Sequence, residues 1–535
     1  MHNNEYDNTY IDTNECTSRG ACSIAPNIAA LQEVIFYFLK LTANYILKLE
    51  KMGANNPSIK YEMINDIASL VYINEFSENQ LFEIAMKDYF LYSNTREAYK
   101  QNCEKYKKNC VELKNKVKLN TSTPISKVIS AGEKLFLDKY NRIKAEQRNL
   151  IDIMEIVIKS TSVHLSKLID FGEFDEEAFH SILNALDLFN HSKIENNDIS
   201  ELTSQMAEHD YRLNLKISKL LLEKYGAMTK ADVSYSTAQG KAILVSGSNF
   251  SELLKVLKNT ENENIDIYTH SDLLLAHSLS EFKKYPNLKG HFGDQTENNI
   301  LDFATFPGSI LLTKNAKKNT EYLYRGRLFS NGYIVPKGVI KIENNDYSEL
   351  INSAKNAKGF SKGKEKPTVT LGYNDEDINK KIEEISSKLK SGEIKRLYII
   401  GMNTYSEIQK EYFKNLLNSL QTDEFAITFT PGIEKPNVLT INLGNYFPLA
   451  INLLHNLFAI IPIENPNIYL FITNCNVMVM TGIITLRKHS AQNIYMADCT
   501  PTFINPSVFK TFQDKYNIHI TTDAANDIHF IRNKQ

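Results

Sequence analysis

Apolar positions recur at helical spacing through the first 228 residues of the chain. In residues 29–52 (AALQEVIFYFLKLTANYILKLEKM), Leu31, Val34, Ile35, Phe38, Leu39 and Leu41 form one stripe, and Gly53 follows where helices commonly end. The same spacing predicts helices over 60–73, 78–92, 96–116, 126–160, 176–189 and 202–225. Together they read as one or two helical bundles. After Gly226 the period shortens. Short apolar runs at 242–246 (AILVS), 265–269 (IDIYT) and 309–313 (SILLT) read as strands. A polar stretch at 344–366 reads as a surface segment or linker. A second strand series follows at 397–400, 425–429, 438–441, 468–473, 493–496 and 518–521, with helical patterns between, as at 406–419 and 447–460. Alternation of this kind implies parallel, doubly wound sheets, whose ligands sit beyond the carboxyl ends of the strands. The expected fold is multidomain, α plus α/β. A helical bundle domain spans 1–228, a first Rossmann-like doubly wound domain 229–370, and a second 371–535.

Composition changes this picture little. A chain of 535 residues suits about three domains at roughly 100–200 residues each. The net charge of -2 steers the chain neither to nucleic acid nor to an anionic membrane surface. The lysines of 96–116 are interrupted by Glu104 and Glu112 and read as a solvated helix face. The start, MHNNEYDNTYIDTN, has no apolar signal core, so a cytoplasmic location is expected. The most apolar stretches, 450–463 and 469–486, carry Asn, and the first carries His455; both read as buried sheet and helix rather than membrane spans.

The six cysteines are Cys16, Cys22, Cys103, Cys110, Cys475 and Cys499. They form no CxxC pair and are expected to be reduced. On one helix Cys103 and Cys110 would lie about 10 Å apart along the axis, too far to chelate one metal. They read as structural thiols, with a redox role for the pair as the minor alternative. No GxGxxG follows a strand, and Walker A, HExxH and GxSxG motifs are absent from the sequence.

Several segments resemble one family. Residues 15–26 read ECTSRGACSIAP, with AALQEVIFYFLK close behind. ILVSGSNFSELLKVLKNT, NIDIYTHSDLLLAHSLSEFKKYPNLKGHFG, FPGSILLTKN, YRGRLFSNGYIVPKGV and CTPTFINPSVFKTF follow in order. Together they resemble the hybrid-cluster proteins, the prismane or hydroxylamine-reductase family. That resemblance implies a helical domain holding a four-iron–four-sulfur cluster, and two Rossmann-like domains that help enclose a hybrid iron–sulfur–oxygen cluster. It also implies reduction of hydroxylamine and nitric oxide, with the clusters carrying the chemistry.

Carried over position by position, the resemblance places few ligands. In the N-terminal segment 1–26, Cys16 and Cys22 match two family cysteines, but Asn4 and Asp7 stand at the other two. At the hybrid cluster, the family histidine falls at Ser248 and the two glutamates at Asp272 and Asn476. The four cysteines fall at Ala316, Met402, Pro431 and Gly444. A thioether is a soft but weak ligand and forms no persulfide. No metal and no cluster is therefore expected, and no catalytic residue is assigned. A mononuclear site from His270, Asp272, His277 and Cys475 is the alternative metal centre, because alternate strand residues point to one face and would aim His270 and Asp272 together. Empty space costs about 24 cal/mol per Å³, so a smaller, partly filled and hydrated pocket is expected where the cluster sits in the family. The leading functional expectation is a non-catalytic binding or assembly protein, either as a homo-oligomer or with a protein partner. The alternatives are an oxidoreductase of the hydroxylamine or nitric oxide type with an altered metal site, and a small-molecule sensor or carrier using the emptied pocket.

Overall fold

Helix α1 (Pro26–Glu50) opens on a proline, whose fixed φ suits a first helical position. Its predicted stripe, Leu31 to Leu41, is buried at 3% exposure or less. The computed structural model describes residues 24–533 except 55–56, 72–75, 192, 294–298, 315–323, 325, 333–334, 336–337, 403–406, 430–434 and 498–503. Of the helices that follow, α2 (Pro57–Ser69), α3 (Glu78–Lys105), α4 (Ile125–Arg142), α5 (Ala145–Ile169), α6 (Glu176–Leu188) and α7 (Asn196–Tyr225), α1 packs against α3, α4 and α6, while α5 packs against α2 and α7. No helix of the described residues is long and apolar enough to cross a membrane.

Two helix expectations need correction. Residues 78–92 and 96–116 do not form separate helices. No breaker stands between Tyr92 and Arg96, so α3 runs unbroken from a Ser77–Gln80 capping box to Lys105. Lys107 then takes φ 49°, and the chain doubles back so that Cys110 forms a disulfide with Cys103, their Cα atoms 5.9 Å apart. The expectation of two separate reduced thiols assumed one helix running through both cysteines, whereas the helix ends at Lys105, before Cys110. Residues beyond Cys110 lie extended across α1 and α3. Tyr99, Tyr45 and Tyr37 hydroxyls accept the Val111, Leu113 and Lys116 amides at 3.3, 3.0 and 2.7 Å. The expected helix 126–160 is also two. Ile143 is extended, and the Arg148 guanidinium donates to the carbonyls of Tyr140 and Ile143, satisfying backbone acceptors where α4 ends.

The sheets follow. In chain order come β1 (Ala231–Ser234), β2 (Lys241–Ser246), α8 (Phe250–Asn259), β3 (Ile265–His270), a 3-10 turn (Ser271–Ser278), β4 (Leu288–His291), α9 (Asn299–Thr305), β5 (Ser309–Leu312), β6 (Leu328–Ser330), β7 (Ile340–Lys341) and α10 (Ser348–Asn356). Then come β8 (Thr368–Leu371), α11 (Asp375–Ser391), β9 (Arg396–Ile400), α12 (Glu407–Asn418), β10 (Glu424–Thr428), β11 (Val438–Thr440), α13 (Phe447–Ile460), β12 (Ile468–Ile472), α14 (Val477–Lys488), β13 (Asn493–Met496), α15 (Pro506–Lys515), β14 (Ile518–Ile520) and α16 (Ala524–Asn533). One six-stranded parallel sheet has the order β4-β3-β2-β5-β6-β7, the other β11-β10-β9-β12-β13-β14. Each is a doubly wound order with its switch point beside the first strand, β2 or β9. A short antiparallel ribbon, β1 with β8, joins the first sheet's start to the region after it.

The polar stretch 344–366 is not a plain linker. It carries α10, whose Leu350, Ile351 and Ala354 are buried. Ser309 on β5 donates to the Leu350 carbonyl at 3.1 Å. Three apolar positions at i, i+1 and i+4 suffice for a short covering helix, and the surrounding charge obscures them.

Candidate functional site

The carboxyl ends of β2, β3, β9 and β12 all face one region, because both sheets are parallel. There the chain leaves each strand through Gly247, through Ser271 and Asp272, through Gly401 and Met402, and through Thr473 to Asn476. These turns, one face of α7 and the helices α13 and α14 enclose a cavity of about 670 Å³. Its floor holds Asp272, Met402, Thr473 and Asn476. Asp210 and Tyr211 come from α7, Phe447, Ile451 and Leu454 from α13, and Met478 and Ile483 from α14. His455 and His489 stand at its edge, each more than a third exposed.

Three of the positions matched to hybrid-cluster ligands therefore come together: Asp272, Met402 and Asn476. Asn476 is occupied as the N-cap of α14, its side-chain oxygen accepting the Val479 amide at 2.9 Å. The Met402 carbonyl accepts the Thr473 hydroxyl, which ties the β9 and β12 turns together. Ser248 does not face this cavity. It lines a separate void of about 20 Å³ with Lys167, Asp170, Tyr225 and Tyr446. Gly444 is beside Leu274 at φ 61°, a left-handed conformation that disfavours any residue with a Cβ. Ala316, Pro431, Cys499 and the N-terminal Asn4, Asp7, Cys16 and Cys22 lie outside the described residues. A cavity is present at these strand ends, with Met402 in its wall.

The alternative mononuclear centre does not assemble. Ser271 takes φ 62°, which breaks the strand alternation between His270 and Asp272. Asp272 faces the cavity. His270 points behind the sheet, to the Ser246 hydroxyl at 2.9 Å and the Asp302 carboxylate at 3.2 Å. His277 and His291 both bond the Thr269 hydroxyl at 2.9 Å. Burial pushes His277 down to about 4 and His291 well below the ordinary imidazole range, so both are neutral structural groups. Cys475 is held in a disulfide. Among the described residues no three His, Cys, Asp or Glu side chains converge as a metal site.

Several polar groups at the site escaped sequence reading. The deepest is a pair from α5 and α7: His164, fully buried, meets Asp210 at 2.8 Å. Ser160 donates to the same carboxylate at 3.1 Å, and the Asn214 amide to its other oxygen at 3.3 Å. His164 lies flat against the Phe447 ring, 5.9 Å between centroids. At the mouth the Tyr211 hydroxyl bonds His455 at 2.6 Å, and His489 bonds Glu208 at 3.0 Å. Burial and Glu208 push the Tyr211 phenol up to about 12. Behind Ser248, Lys167 is 7% exposed, with its ammonium 5.4 Å from the Tyr446 ring centre. Burial lowers its pKa, and the fields of Asp272, Asp170 and Asp210 oppose that fall. The available signal was a set of polar residues, His164, Lys167, Asp210 and Asn214, at core-facing positions of otherwise amphipathic helices.

Comparison with known proteins places the geometry in context. A hydroxylamine reductase of Thermodesulfovibrio yellowstonii is 25% identical over 544 aligned residues, covering 96% of this chain and 97% of that protein. Hydroxylamine reductases of Rhodospirillum rubrum and Microcystis aeruginosa are each 24% identical and cover 96% of this chain, with 96% and 97% of their own lengths. A solved acetyl-CoA synthase/carbon monoxide dehydrogenase, described with NiZn[Fe4S4] and NiNi[Fe4S4] clusters in its alpha subunits, aligns with a TM-score of 0.48. Identity there is 10%, over 97% of this chain and 84% of the other. The family model for Prismane/CO dehydrogenase matches residues 11–430. The match runs from ahead of the first helix through the first strand series and into the second, ending just after β10, and the chain belongs to the Prismane/CO dehydrogenase family.

Proposed function

We propose that this chain is a family member without iron–sulfur clusters, acting as a non-catalytic protein that binds a small molecule in the cavity at the strand ends. One observation carries this reading. The cavity remains, while the described positions matched to cluster ligands offer no thiolate and no imidazole. Asp272 keeps a carboxylate, Met402 supplies only a thioether, Asn476 caps a helix, and Gly444 occupies a left-handed turn. Hybrid clusters need several anionic sulfur and carboxylate donors, and this set does not fit one. The other potential donors around the cavity have partners of their own: Asp210 has His164, His455 has Tyr211, and His489 has Glu208.

Hydroxylamine reduction through an altered metal site is the competing reading, and the names of the relatives favour it. Iron and acid-labile sulfide per chain, measured with an absorption spectrum on protein purified without oxygen, decide between the two. Near-zero iron, a featureless visible spectrum and no hydroxylamine turnover are expected. Several irons per chain with turnover would overturn the proposal.

A further inference from the structure

We infer that the ligand of this cavity is an uncharged molecule with an apolar body and a head that accepts hydrogen bonds, such as a ketone. The inference rests on the cluster-free cavity proposed above and names the chemical class it takes. The charged groups of the wall are already committed. One oxygen of Asp210 is bonded by His164 at 2.8 Å and by Ser160 at 3.1 Å, and its other oxygen takes the Asn214 amide at 3.3 Å. Asp272 has a partner as well. His455 is bonded to Tyr211, and His489 to Glu208. A cation entering here would shed its water and meet carboxylates that are already taken, which leaves its desolvation without a matching gain. An anion would face those same carboxylates, and none of the described lining residues is Lys or Arg.

The uncommitted part of the wall is of two kinds. Ile451 and Leu454 of α13 and Met478 and Ile483 of α14 are apolar and suit an apolar body. Asn474 and Asn476 line the cavity from the turn that follows β12. Each has its side-chain oxygen fixed by a backbone N–H, that of Cys475 at 2.6 Å and that of Val479 at 2.9 Å. Those bonds identify the opposite end of each amide as its NH2 group, and neither NH2 donates to another described residue. An NH2 group donates and does not accept, so the head that meets it is a carbonyl, ether or hydroxyl oxygen. A body without such an oxygen would cover two donors and leave them unpaired, which is costly. A cavity of about 670 Å³ lies within the range of small-molecule sites.

Isothermal titration of the full chain at neutral pH compares three probes of equal carbon number: 2-octanone, n-octylammonium and octanoate. The ketone should bind about tenfold or more tightly than either ion, with a negative heat-capacity change from burial of its chain. Leu454→Trp, which occupies the apolar wall, should weaken the ketone by about tenfold and tests the location. Asn476→Asp keeps the cap of α14, because Asp caps as well as Asn, but replaces the NH2 donor by a carboxylate oxygen. It should weaken the ketone by about tenfold and bring n-octylammonium above it. Tighter binding of either ion by the parent protein, or ketone binding indifferent to Leu454→Trp or to Asn476→Asp, would overturn the inference. Iron is measured on the same preparation. An iron-free protein that ignores the ketone overturns the ligand class alone, whereas an iron-loaded one overturns the cluster-free reading beneath it.

Discussion

Glu252 offers a sharp test of how the first sheet is assembled. It lies in the first turn of α8, 4% exposed, where the Asn249 side chain caps the helix. The Lys314 amide donates to it at 3.2 Å, but the Lys314 ammonium goes instead to Asp170 at 2.8 Å. The Asn331 amide lies 2.7 and 2.9 Å from the two carboxyl oxygens when turned to donate. A neutral carboxyl can satisfy Asn331 in either orientation, by accepting from its nitrogen or donating to its oxygen; a carboxylate can only accept. Burial raises the carboxyl from 4.5 to about 8, with Asp170 adding to the rise. A raised folded pKa means that the unfolded chain ionises first. The group therefore costs nothing below pH 4.5, and its cost grows as pH rises until the folded carboxyl ionises near pH 8. At about 1.4 kcal/mol per pH unit, the penalty at neutral pH is roughly 3 kcal/mol. Glu252→Gln keeps the shape and the acceptor for Lys314 but cannot ionise. Denaturation of both proteins from below pH 4.5 to above pH 8 should give curves that coincide at the acid end. The Gln protein should lead by about 5 kcal/mol at the alkaline end, the full shift from 4.5 to about 8 taken at about 1.4 kcal/mol per pH unit. A gap that does not change with pH, or a Gln protein that is weaker at high pH, would refute the reasoning.

Two further outcomes follow from local structure. Asn476→Ala removes the cap of α14 and should lower stability by about 1 kcal/mol, read as a fall in denaturation midpoint, with Asn476→Ser recovering most of it. Replacing Cys103 and Cys110 together by Ser opens a short covalent loop and should cost about 2–3 kcal/mol on the chain-entropy account, visible as a lower thermal midpoint under non-reducing conditions and no difference once the parent protein is reduced.

The helical and strand periods were legible because burial here is periodic. The stripe from Leu31 to Leu41 is buried as read, and strands such as β13 (Asn493–Met496) and helices such as α13 (Phe447–Ile460) begin and end where the pattern places them. Misreadings cluster where a single residue redirects the chain. Ser271 at φ 62° parts His270 from Asp272, and Lys107 at φ 49° returns Cys110 to Cys103; neither residue type announces a left-handed conformation. Strands β6 and β7, of three and two residues, are too short to carry a period. The cavity floor was legible through the positions of Asp272, Met402 and Asn476. Its other wall was not, because Asp210 and Tyr211 lie on a helix more than 60 residues from Asp272 in sequence, and nothing local marks that helix as facing a strand end.

The size of the cavity bears on what the protein does with it. At about 24 cal/mol per Å³, leaving 670 Å³ empty would cost about 16 kcal/mol, as much as the whole stability of a typical domain. The space must therefore hold something. Its edge at His455 is exposed, so water can enter and solvate Asp210, Asp272 and Thr473. Water beside Ile451, Leu454, Met478 and Ile483 finds few partners there, and an apolar group that displaces it gains affinity. A covalently ligated cluster would be a fixed filling. With a hydroxyl, a single carboxylate, a thioether, a glycine and an amide at the described ligand-matched positions, the proposed filling is exchangeable. A pocket whose acidic end is well hydrated and whose apolar end is poorly hydrated selects a ligand with the same division.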